Sequence, residues 1–357
     1  MEELLPKDNE KMQFLDDSDS PLVPNEPQRF TPDEMVRCET CLRANPPTRA
    51  NCIYCAAALP AGKRIMDQRA ITLKPLEDSA AGHNCIYLPN QTHHPATDKV
   101  ADAAQLLKLN TADLQHIIDA NLPLPLARTA TREESELVSR KLEALGFKTI
   151  VVSDQDLGMT ESAVVQVRST SIADEEIVLR QMGGDEGIRI PWSEIALVVS
   201  GRLVSRRTES AEQKSRRGER EIVAASEFFT DEFVMDIYVA NRNEAFRVSA
   251  NNFDFSCLSQ RSLIAAQNFV TLRDLVRSKA FVGQQDDSYL SLRQTLDLVW
   301  PSAQRTGSGG WRRERPGKFS IEAVTESSNL NQFTRYSRLQ WFRFQHPTLE
   351  DGVVDND

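Results

Sequence analysis

The sequence predicts an α+β protein of several domains, and three observations lead to that prediction. Near the N-terminus four cysteines stand in two C-x-x-C pairs, a pattern typical of a small metal-binding ribbon. Between residues 82 and 157 helical periodicity alternates with short apolar runs, which indicates a small domain of strands and helices. From about residue 160 the apolar period changes to two, which is typical of strands. A chain of 357 residues has room for two or three domains.

The two ends of the chain carry most of its excess negative charge. Residues 1–35 hold ten acidic and three basic residues with several prolines, so we expect a disordered acidic leader. Residues 346–357 hold four acidic residues and no lysine or arginine, and we expect a disordered end there as well. The rest of the chain is nearly neutral, so the formal charge of −10 neither favours nor excludes a basic binding surface.

The cysteines Cys38, Cys41, Cys52 and Cys55 predict a zinc ribbon over residues 36–61. Each pair supplies two thiolates from a tight turn, and the ten residues between the pairs let the chain fold back. Four thiolates complete a zinc tetrahedron, so the site should be structural and not catalytic. A disulfide pair or a redox dithiol is the alternative. The N-terminus lacks the basic and apolar regions of a signal peptide, which favours a reducing, cytoplasmic location and therefore zinc.

The run Cys-Glu-Thr-Cys-Leu-Arg-Ala-Asn-Pro-Pro, followed by Cys-Ile-Tyr-Cys-Ala, resembles the short zinc ribbons of bacterial proteins. Three residues separate Cys41 from Asn45, and six separate Asn45 from Cys52. That spacing is similar to Ran-binding-protein-type fingers, some of which bind single-stranded RNA or ubiquitin. The resemblance implies the metal. The resemblance does not imply that the ribbon binds RNA or ubiquitin. Val36 and Pro46 replace tryptophans of those fingers, and Leu42 and Arg43 replace the Thr-Phe pair of the ubiquitin binders. Across its length the chain also resembles uncharacterised bacterial proteins with a zinc ribbon and a Trp-Arg-Arg-Glu-Arg-Pro-Gly-Lys tail.

The segment 82–157 is predicted to be a small αβ sandwich. Thr131 and Glu134 form a capping box at the start of its third helix, and Gly146 ends that helix. Apolar residues at helical spacing predict two earlier helices, the second capped by Thr111. Three strands complete the domain, and prolines place the second of them at a sheet edge. The strands are Asn84–Leu88, Leu122–Ala127 and Phe147–Ser153.

The order strand, helix, helix, strand, helix, strand resembles the C-terminal domain of the bacterial ribosomal stalk protein. The segment Leu-Ala-Arg-Thr-Ala-Thr-Arg-Glu-Glu-Ser-Glu-Leu, continued by Leu-Glu-Ala-Leu-Gly-Phe, is similar to the strand, cap and helix of that domain. In the stalk protein the first two helices dock translational GTPases. Only Lys99 and Val100 match that docking face, and Lys108–Thr111 replaces the Gly-rich turn. The resemblance therefore implies a docking fold without implying the GTPase partner.

Cys85 lies near three histidines, His83, His93 and His94, and these four residues are a candidate second metal site. The alternative is that Cys85 fills the core, since it falls within an apolar predicted strand. We favour the core position.

Residues 160–302 are predicted to form an antiparallel β domain closed by a C-terminal helix, an order that resembles the pleckstrin-homology-like fold. The polar, arginine-rich stretch Arg206–Arg220 is predicted to be a long, disordered loop between strands. The strands are predicted at Ala163–Val167, Glu176–Gln181, Ile188–Ile190, Ile195–Val204, Phe233–Val239 and Ala245–Ala250. Two helices are predicted from the apolar faces Ala265, Phe269, Leu272, Val276 and Tyr289, Leu292, Leu296, Val299.

The segment 303–345 combines eight basic and three acidic residues with many aromatic ones. Gly307–Gly310 is predicted to be a flexible hinge. The arginines and aromatics of residues 311–344 have the composition of a surface for single-stranded nucleic acid, and equally of a tail packed onto a domain. Because aromatic residues this dense seldom stay in water, we favour the packed tail.

The sequence contains no phosphate-binding glycine loop, no nucleophile elbow and no H-E-x-x-H, so we expect no enzyme. Cys257 is expected to fill the core and not to act as a nucleophile. No apolar run approaches the roughly 20 residues of a membrane span. We therefore expect a non-enzymatic docking or regulatory protein with a protein partner and no small-molecule substrate. A protein that binds RNA or single-stranded nucleic acid through the ribbon and the tail is the alternative.

Overall fold

The computed structural model describes residues 31–32, 35–46, 52–57, 59, 73, 76–89, 95–159, 164–181, 186–214, 220–280, 283–308, 312–315 and 318–347. The predicted leader, residues 1–35, and the predicted acidic end, residues 346–357, lie almost entirely outside the described residues. The chain divides into two compact units, Met1–Arg69 and Ala70–Asp357. The part of the chain that the structure describes is a mixed α+β protein with six α-helices and three sheets. In the smaller unit, β1 Val36–Arg37 pairs antiparallel with β2 Ala44–Asn45.

A three-stranded antiparallel sheet begins the larger unit. Its central strand is β3 His83–Tyr87, which lies between β4 Leu124–Thr129 and β5 Thr149–Ser153. The helices that share its core are α1 Thr97–Leu107, α2 Thr111–Asp119 and α3 Arg132–Ala144. The elements follow the predicted order, and the proline-containing β4 lies at an edge.

Local sequence sets the ends of these helices. The Oγ1 atom of Thr131 accepts a hydrogen bond from the N–H of Glu134 at 3.3 Å, which caps α3. Gly146 follows α3 with a φ of 89°, a conformation that glycine adopts readily. The predicted cap of α2 is wrong by one residue. Asn110 accepts a hydrogen bond from the N–H two residues on, whereas Thr111 is the first helical residue, and both residue types serve as caps.

A ten-stranded sheet contains the other strands of the described residues. They are β6 Val164–Ile172, β7 Glu176–Gln181, β8 Ile188–Pro191, β9 Ile195–Lys214, β10 Arg220–Val239, β11 Ala245–Ser249, β12 Gln284–Asp286, β13 Ala303–Ser308, β14 Arg312–Arg315 and β15 Lys318–Ser328. Their order is β13-β15-β9-β10-β11-β6-β7-β8, with β12 beside β9 and β14 beside β15. The predicted antiparallel domain is a mixed sheet, because most neighbours pair antiparallel but β11 pairs with β6, and β12 with β9, in parallel. The β11–β6 pair joins two antiparallel runs edge to edge, a long-range pairing that local sequence does not encode.

The disordered loop predicted at Arg206–Arg220 is wrong for the residues described there, 206–214 and 220. They belong to β9 and β10, two antiparallel strands of 20 residues each. Strand β9 has partners on both sides, β10 and β15, which satisfy its backbone groups. The charged side chains pair across the strands, as in the Arg206–Glu227 ion pair at 2.9 Å. The polar composition therefore belongs to a solvated sheet.

Three helices pack against the long sheet: α4 Ala265–Lys279, α5 Tyr289–Leu296 and α6 Leu330–Gln345. One apolar cluster joins the three-stranded sheet to residues of β9, β10 and α6. A second cluster, which includes Phe246 and Phe269, lies between α4 and the sheet. The segments predicted as 82–157, 160–302 and 303–345 therefore lie within one compact unit, and all three contribute to its first cluster.

The C-terminal aromatic residues lie inside this unit. Phe333, Tyr336 and Leu339 of α6 are fully buried, and Trp341 is 3% exposed. The predicted hinge is wrong at Gly307, which lies in β13 and pairs with β15, and the rest of that glycine run except Ser308 lies outside the described residues.

Candidate metal centre

The four predicted ligands lie together in the smaller unit. The sulfur atoms of Cys38, Cys41, Cys52 and Cys55 are all within 4.8 Å of one another. The closest pairs join the two C-x-x-C turns, with Cys38–Cys55 at 3.6 Å and Cys41–Cys52 at 3.5 Å. Within the described ranges, this is the one cluster of cysteine, histidine or acidic residues that could hold a metal ion.

The two C-x-x-C turns have the same backbone hydrogen bonds. In the first, the N–H of Cys38 donates to Arg43 O at 3.0 Å, and the N–H of Leu42 donates to Cys38 O at 2.8 Å. In the second, the N–H of Cys52 donates to Ala57 O at 2.7 Å, and the N–H of Ala56 donates to Cys52 O at 2.9 Å. The residue after each second cysteine has a positive φ, 60° at position 42 and 58° at position 56. Each turn thus presents its two sulfur atoms to the same point.

Asn45 connects the two turns. Its side chain is fully buried, its Nδ2 donates to Arg43 O at 2.8 Å, and its Oδ1 accepts from the N–H of Ile53 at 2.9 Å. A buried amide with partners at both ends fixes the spacing of the turns that it joins. This contact explains the position of Asn45 between the inner cysteines.

The close packing of the four thiols shifts the pKa values of Cys52 and Cys55 in different directions. Desolvation raises the pKa of Cys52, but the N–H groups of Tyr54 and Cys55 outweigh it and lower that pKa to about 6. For Cys55 the N–H of Ala57 lowers the pKa, but desolvation and the neighbouring thiols outweigh it and raise that pKa to about 12. Without a cation, thiols this close cannot all be ionised at once, because their negative charges repel. A bound cation would stabilise four thiolates together.

The described residues of the smaller unit bury only a small apolar core. Among its described residues, Cys38, Cys52 and Leu59 form the apolar core, with Val36, Cys41 and Ala57 packed around them. So small a core does not offset the conformational entropy of folding, so a metal ion held by the four cysteines would have to supply the difference.

An exposed surface lies beside the four cysteines, and we name it the ribbon patch: Leu42, Arg43, Ile53 and Tyr54. Leu42 is 71% exposed, Ile53 53% and Tyr54 54%. The Arg43 guanidinium lies over the Tyr54 ring, 4.8 Å from its centre, and orients it. In the sequence, apolar residues directly after Cys41 and Cys52 are a signal for this patch.

The other candidate residues lie elsewhere. Cys85 is fully buried in β3, and desolvation raises its pKa to about 12. His83 begins the same strand, whereas His93 and His94 lie outside the described residues. Cys257 is half-buried, and desolvation raises its pKa as well, which opposes a role as a nucleophile.

The residues that suggested docking or nucleic-acid binding in the larger unit are mostly packed. Val100 of α1 is 2% exposed, while the Lys99 side chain is 45% exposed. In α6, Arg338 is buried, and its Nε donates to Leu157 O at 2.7 Å. Arg335 is buried as well and forms an ion pair with Asp78.

No family model matches the chain, and no curated protein or solved structure matches it. The geometry of its own residues must therefore carry the functional argument. None of the helices in the described residues is long and apolar enough to cross a membrane.

Proposed function

We propose that the chain is a non-enzymatic docking protein whose zinc-bound ribbon presents the ribbon patch to a partner protein. The observation that carries this proposal is the exposed Leu42 at a φ of 60°. An L-residue in the left-handed region costs about 1–2 kcal/mol, and glycine is the usual residue there. An exposed leucine at such a position contributes little to folding, so its apolar side chain is best explained by contact with a partner.

Zinc is the metal that best suits the four sulfur atoms. Tetrahedral Zn–S bonds of about 2.3 Å place sulfur atoms about 3.8 Å apart. The closest pairs, at 3.5 and 3.6 Å, nearly have that spacing before any metal is added. Four thiolates leave no open coordination position, so the ion would stabilise the ribbon and take no part in a reaction. A reducing compartment such as the cytoplasm would keep the thiols available.

The alternative partner is single-stranded nucleic acid. Tyr54, with Arg43 over its ring, could stack with a base, which favours this alternative at the ribbon. The tail contributes less, because Phe333, Tyr336 and Trp341 are buried. A protein partner fits better, since Leu42 and Ile53 add apolar area that base stacking does not use.

Affinity capture from native lysate, with and without RNase, tests the proposal on the full chain. Three forms are compared: the wild type, Cys52→Ser with Cys55→Ser, and Leu42→Gly with Ile53→Ser. The last form keeps every cysteine and removes only exposed apolar side chains. Glycine at position 42 also suits the positive φ of that turn.

A defined protein that survives RNase and is lost with both variants supports docking through the ribbon patch. RNA recovered with the wild type, with proteins lost on RNase treatment, would support the nucleic-acid alternative. A protein partner that both variants retain would reject the ribbon as the docking site.

A further inference from the structure

A cavity of about 290 Å³ lies between the long sheet and the end of α5. Residues of β9, β10 and β15 line one side of it, and residues of α5 and of the loop that follows line the other. Its volume is near the lower end of the roughly 300–1,000 Å³ that is usual for ligand pockets. The cavity therefore has room for a small organic ligand.

Three neighbouring strands place an aromatic ring, a guanidinium and a hydroxyl side by side on one wall. Arg206 of β9 lies directly opposite Phe229 of β10 and, on its other side, directly opposite Ser327 of β15. Directly opposed residues share a face of the sheet, and all three line the cavity. Phe229 is 60% exposed, so its ring is open to a ligand. Phe228, the preceding residue, belongs to the opposite face.

The helix side of the cavity contributes a positive charge. Arg293 of α5 is half-buried, and its guanidinium forms no hydrogen bond or ion pair with another described residue. Arg206 pairs with Glu227 through Nε at 2.9 Å, which uses one of its five N–H groups. Among the lining residues that the structure describes only Asp297 is acidic, and its Oδ1 accepts from the N–H of Ser302 at 2.8 Å and from its hydroxyl at 3.0 Å. The charge that lacks a partner at this cavity is thus the positive charge of Arg293.

We infer that this cavity binds a nucleotide, with the base against the Phe229 ring and the phosphate at Arg293. A planar guanidinium matches the geometry of phosphate oxygens, and Ser327 and Gln294 add neutral donors beside it. An exposed aromatic ring stacks with any base, because every base has a π-face. An anion without an aromatic ring would leave Phe229 unused. The nucleotide comes either from a free mononucleotide or from a single-stranded RNA, since both present a base and a phosphate.

Isothermal titration calorimetry on the full, zinc-loaded chain tests the inference. The probes are AMP and UMP, with adenosine and inorganic phosphate as the two parts of the ligand. Each mononucleotide should bind at least about 10-fold more tightly than adenosine or phosphate, because only the whole molecule reaches both the ring and the guanidinium. Phosphate that binds as tightly as AMP would overturn the role of the ring.

Matched variants test the two anchors. Arg293→Gln and Phe229→Ala should each weaken AMP binding about 10-fold or more, since the first removes a charged donor and the second a stacking surface. Phe229→Tyr keeps the ring and should bind AMP like the wild type. The control is Phe228→Ala, which removes an equally exposed ring from the opposite face and should leave the affinity unchanged. Unchanged urea midpoints show that the variants are folded. An equal loss of affinity in Phe228→Ala would overturn the inference.

A single-stranded RNA of about eight nucleotides distinguishes the two sources. RNA that binds where mononucleotides do not, and that is lost with Arg293→Gln and Phe229→Ala, assigns the cavity to a nucleotide within a strand. No binding of AMP, UMP or RNA at about 1 mM would overturn the inference for both sources. Leu42→Gly with Ile53→Ser should bind AMP like the wild type, so this inference and the docking proposal fail separately.

Discussion

Replacing Leu42 with glycine should strengthen zinc binding even though it removes a large side chain. Leu42 has a φ of 60°, which costs an L-residue about 1–2 kcal/mol that glycine avoids. Glycine loses about 0.5–1 kcal/mol through the greater freedom of the unfolded chain. The side chain is 71% exposed, so its removal gives up little packing. The net gain of about 0.5–1 kcal/mol corresponds to about a two- to fivefold higher zinc affinity, because metal binding and folding are coupled.

The second turn offers a repeat of the test, and the first offers a control. Ala56 has a φ of 58° and the same hydrogen bonds, so Ala56→Gly should also strengthen zinc binding. Thr40 lies in the first turn without a positive φ, so Thr40→Gly gains nothing and should weaken binding. Competition with a chromophoric chelator at neutral pH measures all three affinities. The reasoning is refuted if both variants at positive φ bind zinc as weakly as Thr40→Gly.

Three further predictions concern the larger unit. Asp236→Ala leaves the buried Arg247 guanidinium without its bidentate partner. The free energy of unfolding, measured in urea, should therefore fall by about 3–5 kcal/mol, and an unchanged urea midpoint would contradict this. Gly201→Ala places a methyl group against the Phe333 ring, so unfolding should become easier by about 1–3 kcal/mol, and a variant as stable as wild type would show that the ring can move. Cys85, with a pKa of about 12, has a thiolate fraction of only about 10⁻⁴ at pH 8. Mass spectrometry should therefore find Cys85 alkylated far more slowly in folded than in unfolded protein, at a rate that rises with pH. Equal alkylation rates in the two states would refute its burial.

Elements set by neighbouring residues could be predicted from the sequence. The strand predicted at Glu176–Gln181 has the bounds of β7, because a short apolar, β-branched run, Ile177–Leu179, is flanked there by polar residues. The helix α3 begins after Thr131 and ends before Gly146, because its cap and its terminating glycine act within a few residues. Such signals need no knowledge of the rest of the chain.

Elements stabilised by distant partners could not be predicted. The arginines and serines of β9 read as a disordered loop, because the pairing of β9 with β15 joins residues more than a hundred positions apart. Gly307 read as a hinge because its own composition does not show that it pairs with Val324 of β15. The composition of an exposed sheet and that of a loop are similar when the neighbouring strand is unknown.

The candidate metal site could be predicted from the sequence only in part. The spacing of the cysteines identifies the ligands, since four thiolates in two turns have few other uses. The ribbon patch depends on details that spacing does not give: the left-handed conformation of Leu42 and the turn that exposes Ile53 and Tyr54. Besides the apolar residues after Cys41 and Cys52, the sequence shows leucine at position 42, where such turns usually place glycine.

The burial of polar groups indicates which surfaces remain for partners. Asn84 of β3 donates to Asp154 at 2.9 Å and accepts a hydrogen bond from the Trp300 indole at 2.8 Å. Arg128 pairs with Asp154 at 2.7 Å, and Arg335 of α6 lies 3.8 Å from the same carboxylate. Buried charges are tolerated only when their partners are held in place, so the three-stranded sheet depends on residues that follow it in the chain. Buried polar contacts thus tie this segment to the rest of the larger unit. This burial supports the proposal that the exposed ribbon patch, and not these buried groups, meets a partner.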